Sequence, residues 1–286
     1  MSDALLFLAA PTVMCFILAG IHCYLGLHVL ARGVIFVDLS LAQVAAFGTT
    51  IALLFGYEHG TPQAYFYSLG ATFLAASLFA LARRQERYFS QEAIIGITYA
   101  FGSAAVVLVV DRMAHGAEHI KELLVGQILW VTWPEVLKTA LIYAGVGLVH
   151  YIFRKQLLEA AFHAGEKVKA IWDFLFYALF GVVITSSVSI VGVLQVFAYL
   201  IVPSIVSTLF VRTIRARLIF GWILGIVLSV VGMGASYALD YPSGAFIVVC
   251  FAAVPIVLLL LSPVLKFKYS PSDGPIAHQQ KEIKPV

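Results

Sequence analysis

Charge is what this sequence has least of. Only 12% of its 286 residues are Asp, Glu, Lys or Arg, against roughly 25% in a soluble domain. From Phe174 to Val211 there is none at all. That scarcity excludes an ordinary soluble enzyme. The net charge of +3 is explained by asymmetry between loops and gives no reason to invoke nucleic acid. Cysteine is also sparse. Cys15, Cys23 and Cys250 all lie in apolar runs, where packing rather than a disulfide or a metal site is expected. No G-x-x-x-x-G-K-[ST] stretch exists, so the chain has no phosphate loop with which to hydrolyse ATP itself. The first apolar run follows no basic segment and shows no clear cleavage site, so it is expected to be retained as a span.

What the sequence has instead is apolar length. Hydrophobic residues make up 62% of it, and mean hydropathy is +0.97. This predicts an all-α polytopic membrane protein with eight or nine transmembrane helices plus one short re-entrant or interfacial segment. The transmembrane domain is expected over 1–265, with a cytoplasmic, disordered tail over 266–286. Spans are predicted at about 5–27, 33–56, 63–82, 92–110, 136–153, 218–239 and 245–265. The charge-free run 174–211 is too long for one crossing of a roughly 30 Å core at about 1.5 Å per residue. It is expected to hold two spans, broken near Thr185, Ser186, Ser187, Ser189 and Gly192, with Pro203 a candidate kink. Residues 111–122 read as a polar loop. Residues 123–135 are apolar but too short to cross, and their Trp130 and Trp133 suit the lipid–water boundary.

Basic residues collect at alternate ends of these spans: Arg32, the 83–87 cluster, Arg154, Lys155, Lys167, Lys169, Arg212, Arg215, Arg217, Lys266 and Lys268. By the positive-inside rule those ends are cytoplasmic and loops 57–62, 111–122 and 240–244 are outside. The longest charged segment, 154–170, then faces the cytoplasm. Leu157, Leu158, Ala161, Phe162 and Gly165 recur there at helical spacing, with charges on the other side.

Several stretches carry a resemblance. Glu159-Ala160-Ala161, followed after three residues by Gly165, resembles the cytoplasmic loop by which permeases of bacterial ABC importers dock on their ATPase. Gly33 to Gly48, Gln91 to Ile97, Leu124 to Trp133, Val191 to Pro203 and Leu239 to Gly244 resemble, in order, signature stretches of the permeases that import zinc, manganese and ferrous iron. One departure stands out. That family commonly carries an Asp with a His four residues later in the second span. Here Gln43 occupies the His position, and Asp38 sits one residue before the family Asp, where this chain has Leu39. Asp38 and Gln43 are about 140° apart round a helix and form no single ligand face.

Candidate metal-path residues are therefore His22, Asp38, Gln43 and Glu92. Carboxylates suit a divalent cation, and an imidazole added to them suits zinc or manganese. Asp38 and Glu92 fall near the cytoplasmic ends of the second and fourth spans. His22 and His28 face different ways on the first. Gln43 also suits an interhelical hydrogen bond. His115-Gly-Ala-Glu118-His119 fits the H-x-x-E-H pattern of inverted zinc peptidases, and alternatively a transient cation-capturing loop. Glu159, Ala160, Ala161 and Gly165 are the candidate ATPase-coupling residues.

The resemblance implies a multi-pass permease of the bacterial inner membrane that moves a divalent transition metal inward as its substrate. It implies two copies around the path, separate cytoplasmic ATP-binding subunits and a periplasmic or lipid-anchored metal-binding protein. It implies no cofactor and no enzymatic site in this chain. A permease for a chelated metal or cobalamin-like cargo is the alternative, with a membrane zinc metallopeptidase behind it.

Overall fold

The computed structural model describes residues 2–58, 60–113, 116–162 and 170–264. Within these, every regular element is helical. The helices are α1 (Ser2–Arg32), α2 (Val37–Leu54), α3 (Pro62–Arg84), α4 (Gln91–Val110), α5 (Gly116–Val125), α6 (Trp133–Ile152), α7 (Arg154–Phe162), α8 (Ala170–Phe210), α9 (Ile214–Leu239) and α10 (Ser243–Leu261), with a 3₁₀ turn at Ile128–Trp130. Eight of them are long and apolar enough to cross a membrane. The expected tail, 266–286, lies outside the described residues.

The described residues fall into two compact units that alternate along the chain. One comprises those of Met1–Gly33, Leu129–Val136 and Phe197–Val286, and the other Val34–Ile128 and Leu137–Val196. In the first unit α1 meets the second half of α8 so closely that a Cβ on Gly26 would strike the Leu200 carbonyl oxygen and the Ser204 hydroxyl. Polar groups hold it together where lipid offers no hydrogen bonds. The Tyr199 and Ser229 hydroxyls lie 2.7 Å apart. Ser204 donates to the Cys23 carbonyl at 3.3 Å, and Trp222 Nε1 donates to Gly20 at 2.9 Å. In the second unit Ser68 donates to the Ala45 carbonyl, Thr72 meets Thr185 at 3.2 Å, and Tyr143 meets Ser187 at 2.6 Å. Gln91 donates to both Phe79 O and Tyr177 Oη.

α8 contains 41 residues, about 60 Å at helical rise. It is two helices joined at Gly192, whose φ of 74° and ψ of 168° are not helical. The expected serine and threonine cluster does not itself break the chain. Ser186 and Ser187 return their hydroxyls to carbonyls one turn back, which leaves the helix intact. The break needs a residue free to adopt positive φ, and Gly192 is that residue. Gly126, also at positive φ, packs directly on it: a Cβ on Gly192 would lie 2.5 Å from Gly126 N and 2.6 Å from Leu124 O. The Ile190 carbonyl, two residues before the break, accepts from Gln127 N at 3.0 Å. Gly192→Val therefore combines left-handed strain with overpacking. It is expected to destabilise the chain by about 2–5 kcal/mol, read as early loss of the monodisperse peak when the detergent-solubilised protein is heated.

The sequence reading of 111–122 as a loop needs correction. Residues 116–125 form α5. Ile120 and Leu123 pack at helical spacing into a cluster with Ala46, Phe47, Val106, Val110 and Met113. Charges at Glu118, Lys121 and Glu122 mask that apolar stripe in composition but not in periodicity. The apolar piece 123–135 is correspondingly divided between the end of α5, the 3₁₀ turn and the start of α6.

Candidate functional site

The residues expected on the metal path lie on three helices. His22, on α1 in the first unit, is fully buried, and its Nδ1 lies 2.8 Å from the Leu18 carbonyl. A carbonyl only accepts, so Nδ1 carries the proton. Asp38, Gln43 and Glu92 all belong to the second unit. Gln43 lies against α4, its backbone carbon and Cβ 3.2 Å from where a Cβ on Gly102 would stand.

Asp38 occupies the first turn of α2 and is 1% exposed. Neither carboxylate oxygen makes a hydrogen bond of good geometry. The donors beside it are the backbone N–H groups of residues 38 and 39, at the positive end of the helix dipole. Glu92 occupies the first turn of α4. The backbone N–H of Phe36, two residues before Asp38, lies beside the Glu92 carboxylate, and Glu92 Oε2 is buried without a partner. The Ser40 hydroxyl, fully buried on α2, also lacks one. Two carboxylates with incompletely satisfied oxygens thus lie near the start of α2, while Ser40, two residues on from Asp38, points to another side of the helix. Burying such groups costs several kcal/mol unless a cation or donors meet them. Oxygen donors of this kind suit a divalent ion, and the carboxylates alone can bind one or bridge to it. Among the described residues, no group of three or more His, Cys, Asp and Glu side chains stands ready to hold a metal ion.

On the opposite expected side, His119 is buried, 8% exposed, on α5, and Glu118 is exposed beside it. Adjacent helical residues diverge by about 100°. His115 lies outside the described residues. On α7, Leu157, Ala160 and Ala161 are buried and Glu159 is exposed. The two alanines seat the helix, and the carboxylate is left free to meet a partner. Gly165 lies outside the described residues.

Sequence reasoning missed one arrangement here. Arg83 Nη1 donates to Asp173 Oδ1 at 2.9 Å, and Nη2 donates to the Ala160 carbonyl at 2.6 Å. Arg83 was legible only as one of a basic cluster. Nothing in one-dimensional spacing pairs it with an acid ninety residues away.

Eight long apolar helices in an all-α chain define a multi-pass membrane protein. The sequence matches the ABC 3 transport family over residues 5–262, and the chain belongs to that family. It is 24% identical over 274 residues to a "Probable iron transport system membrane protein" of Haemophilus influenzae, covering 93% of this chain and 91% of that one. It is 24% identical over 267 residues to the manganese transport system membrane protein MntC of Listeria monocytogenes, covering 91% and 89%. The fold is similar to that in PsaBC of Streptococcus pneumoniae in complex with Fab, with a TM-score of 0.74, 18% identity and 98% of each chain covered.

Proposed function

We propose that this chain is the membrane-spanning permease of an ATP-driven importer for a divalent transition metal: zinc, manganese or ferrous iron. It works in the bacterial inner membrane as a pair of copies around the path. Separate ATP-binding subunits dock on α7 and the residues up to 170, and a periplasmic or lipid-anchored binding protein delivers the metal to loops 57–62 and 240–244 and to segment 111–122, which runs into α5. The chain itself catalyses no reaction. ATP closes the ATPase pair, α7 moves, and the spans swing between outward- and inward-open states.

The observation that carries this reading is the buried Asp38 carboxylate, without a well-made hydrogen bond, in a membrane-spanning helix of an ABC 3 chain. Intramembrane ionisable groups are expensive and mark ion pathways. The iron and manganese named for relatives support the same class of cargo. A divalent ion would exchange its water for the Asp38 and Glu92 oxygens near the inner end of the path, with Gln43 and His22 candidates along it. His115, Glu118 and His119 are candidates for transient capture outside.

The orientation is tested by cysteine labelling. Cysteines at Glu58 and Ala117 are expected to react with an impermeant thiol reagent in intact spheroplasts. One at Lys167 is expected to react only after permeabilisation. The reverse pattern would put the coupling helix on the wrong side for any cytoplasmic ATPase.

A further inference from the structure

Three helix ends converge on one guanidinium. Arg83 lies in the last turn of α3, where a cation favours the helix dipole. Asp173 lies in the first turn of α8, where an anion does. Ala160 lies near the end of α7, where helical carbonyls run out of intrahelical donors. The Arg83 and Asp173 side chains are only 9% and 7% exposed. Both nitrogens of the Arg83 fork are used, Nη1 on the carboxylate and Nη2 on the carbonyl. All three residues belong to the second unit, and Ala160 is one residue from the exposed Glu159.

We infer that Arg83 is a positioning residue that ties the coupling helix α7 to the two spanning helices α3 and α8, so that displacement of α7 by the ATPase moves both. This rests on the docking role of α7 proposed above. An exposed ion pair would be soft, screened and worth little. This one is enclosed, charge-assisted and held in two directions, which makes it stiff. The fork matters as much as the charge. A lysine ammonium reaches one partner as a point charge but has no planar fork to span carboxylate and carbonyl together. Without the second bond, α7 loses this polar tie and keeps the packing of Leu157, Ala160 and Ala161.

The test uses the whole importer, permease with its ATPase subunits, in proteoliposomes supplied with the binding protein and radiolabelled metal. Arg83→Lys and Arg83→Gln are expected to keep their ATPase subunits, since Arg83 anchors α7 from within the permease. Metal taken up per ATP hydrolysed is expected to fall at least about tenfold in both. Arg84→Lys, at the exposed neighbour, is the control and is expected to match the wild type. Uptake per ATP equal to wild type in Arg83→Lys would overturn the inference. So would loss of the ATPase subunits from both Arg83 variants, which would make Arg83 a docking or folding residue. If the wild-type chain itself retains no ATPase subunit, the functional reading falls and takes this inference with it.

Discussion

Asp38→Asn is expected to lower metal uptake at limiting concentration by about 10–100-fold, the loss typical of a weakened metal environment. The amide keeps the size of the carboxylate but removes its charge and replaces one acceptor oxygen with a donating NH2. A cation crossing a low-dielectric region then loses the group that offsets its dehydration. Stability should move the other way. The carboxylate is 1% exposed with neither oxygen well hydrogen-bonded, so neutralising it relieves a burial cost. The solubilised variant is expected to unfold no earlier than the wild type and to retain its ATPase subunits. A structural role would give the opposite pair: full uptake and an earlier melt. Glu92→Gln should act in the same direction but less, because Glu92 has the Phe36 backbone N–H beside it and is only half-buried.

Gly165→Trp is expected to abolish co-purification of the ATPase subunits, at least about a tenfold loss of bound ATPase, while the chain still inserts. Glycine permits close approach of another backbone, and an indole there fills the space. Glu159, exposed on α7, would keep its charge for a charged contact with the ATPase. An intact complex with normal transport in Gly165→Trp would remove 154–170 from the docking surface.

The spans were legible in the sequence because lipid imposes length and polarity together. The fourth span was expected at 92–110 and is Gln91–Val110; the eighth was expected at 218–239 and is Ile214–Leu239. The division of the charge-free run followed from length alone, and Gly192 was among the residues expected at the break, but which of them breaks the helix was not legible. Polar residues at 185–189 suggest a break, yet their hydroxyls bond backward along the helix, and the backbone yields only at Gly192. Helix α5 was hidden because its charges resemble a loop until the partners of Ile120 and Leu123 are known. The first span runs on to Arg32 rather than stopping near residue 27, since no breaker stands between them. At the site, Asp38 was visible as a lone acid in an apolar run. That Glu92 adds an unsatisfied oxygen near the start of α2 depends on how α2 and the start of α4 pack, which no local pattern encodes. The Arg83 fork joins residues 77 and 90 positions apart, and it too is a product of tertiary packing.

The central claim is that this chain passes a divalent transition metal inward under ATP. Uptake of radiolabelled Zn²⁺, Mn²⁺ and Fe²⁺ tests it directly, in bacterial cells lacking other importers for these metals and expressing the chain with its ATPase subunits and binding protein. Energy-dependent accumulation of at least one of the three is predicted, lost when Asp38 is changed to Asn in an otherwise assembled complex. Accumulation of none of them by a complex that assembles and hydrolyses ATP would contradict the account.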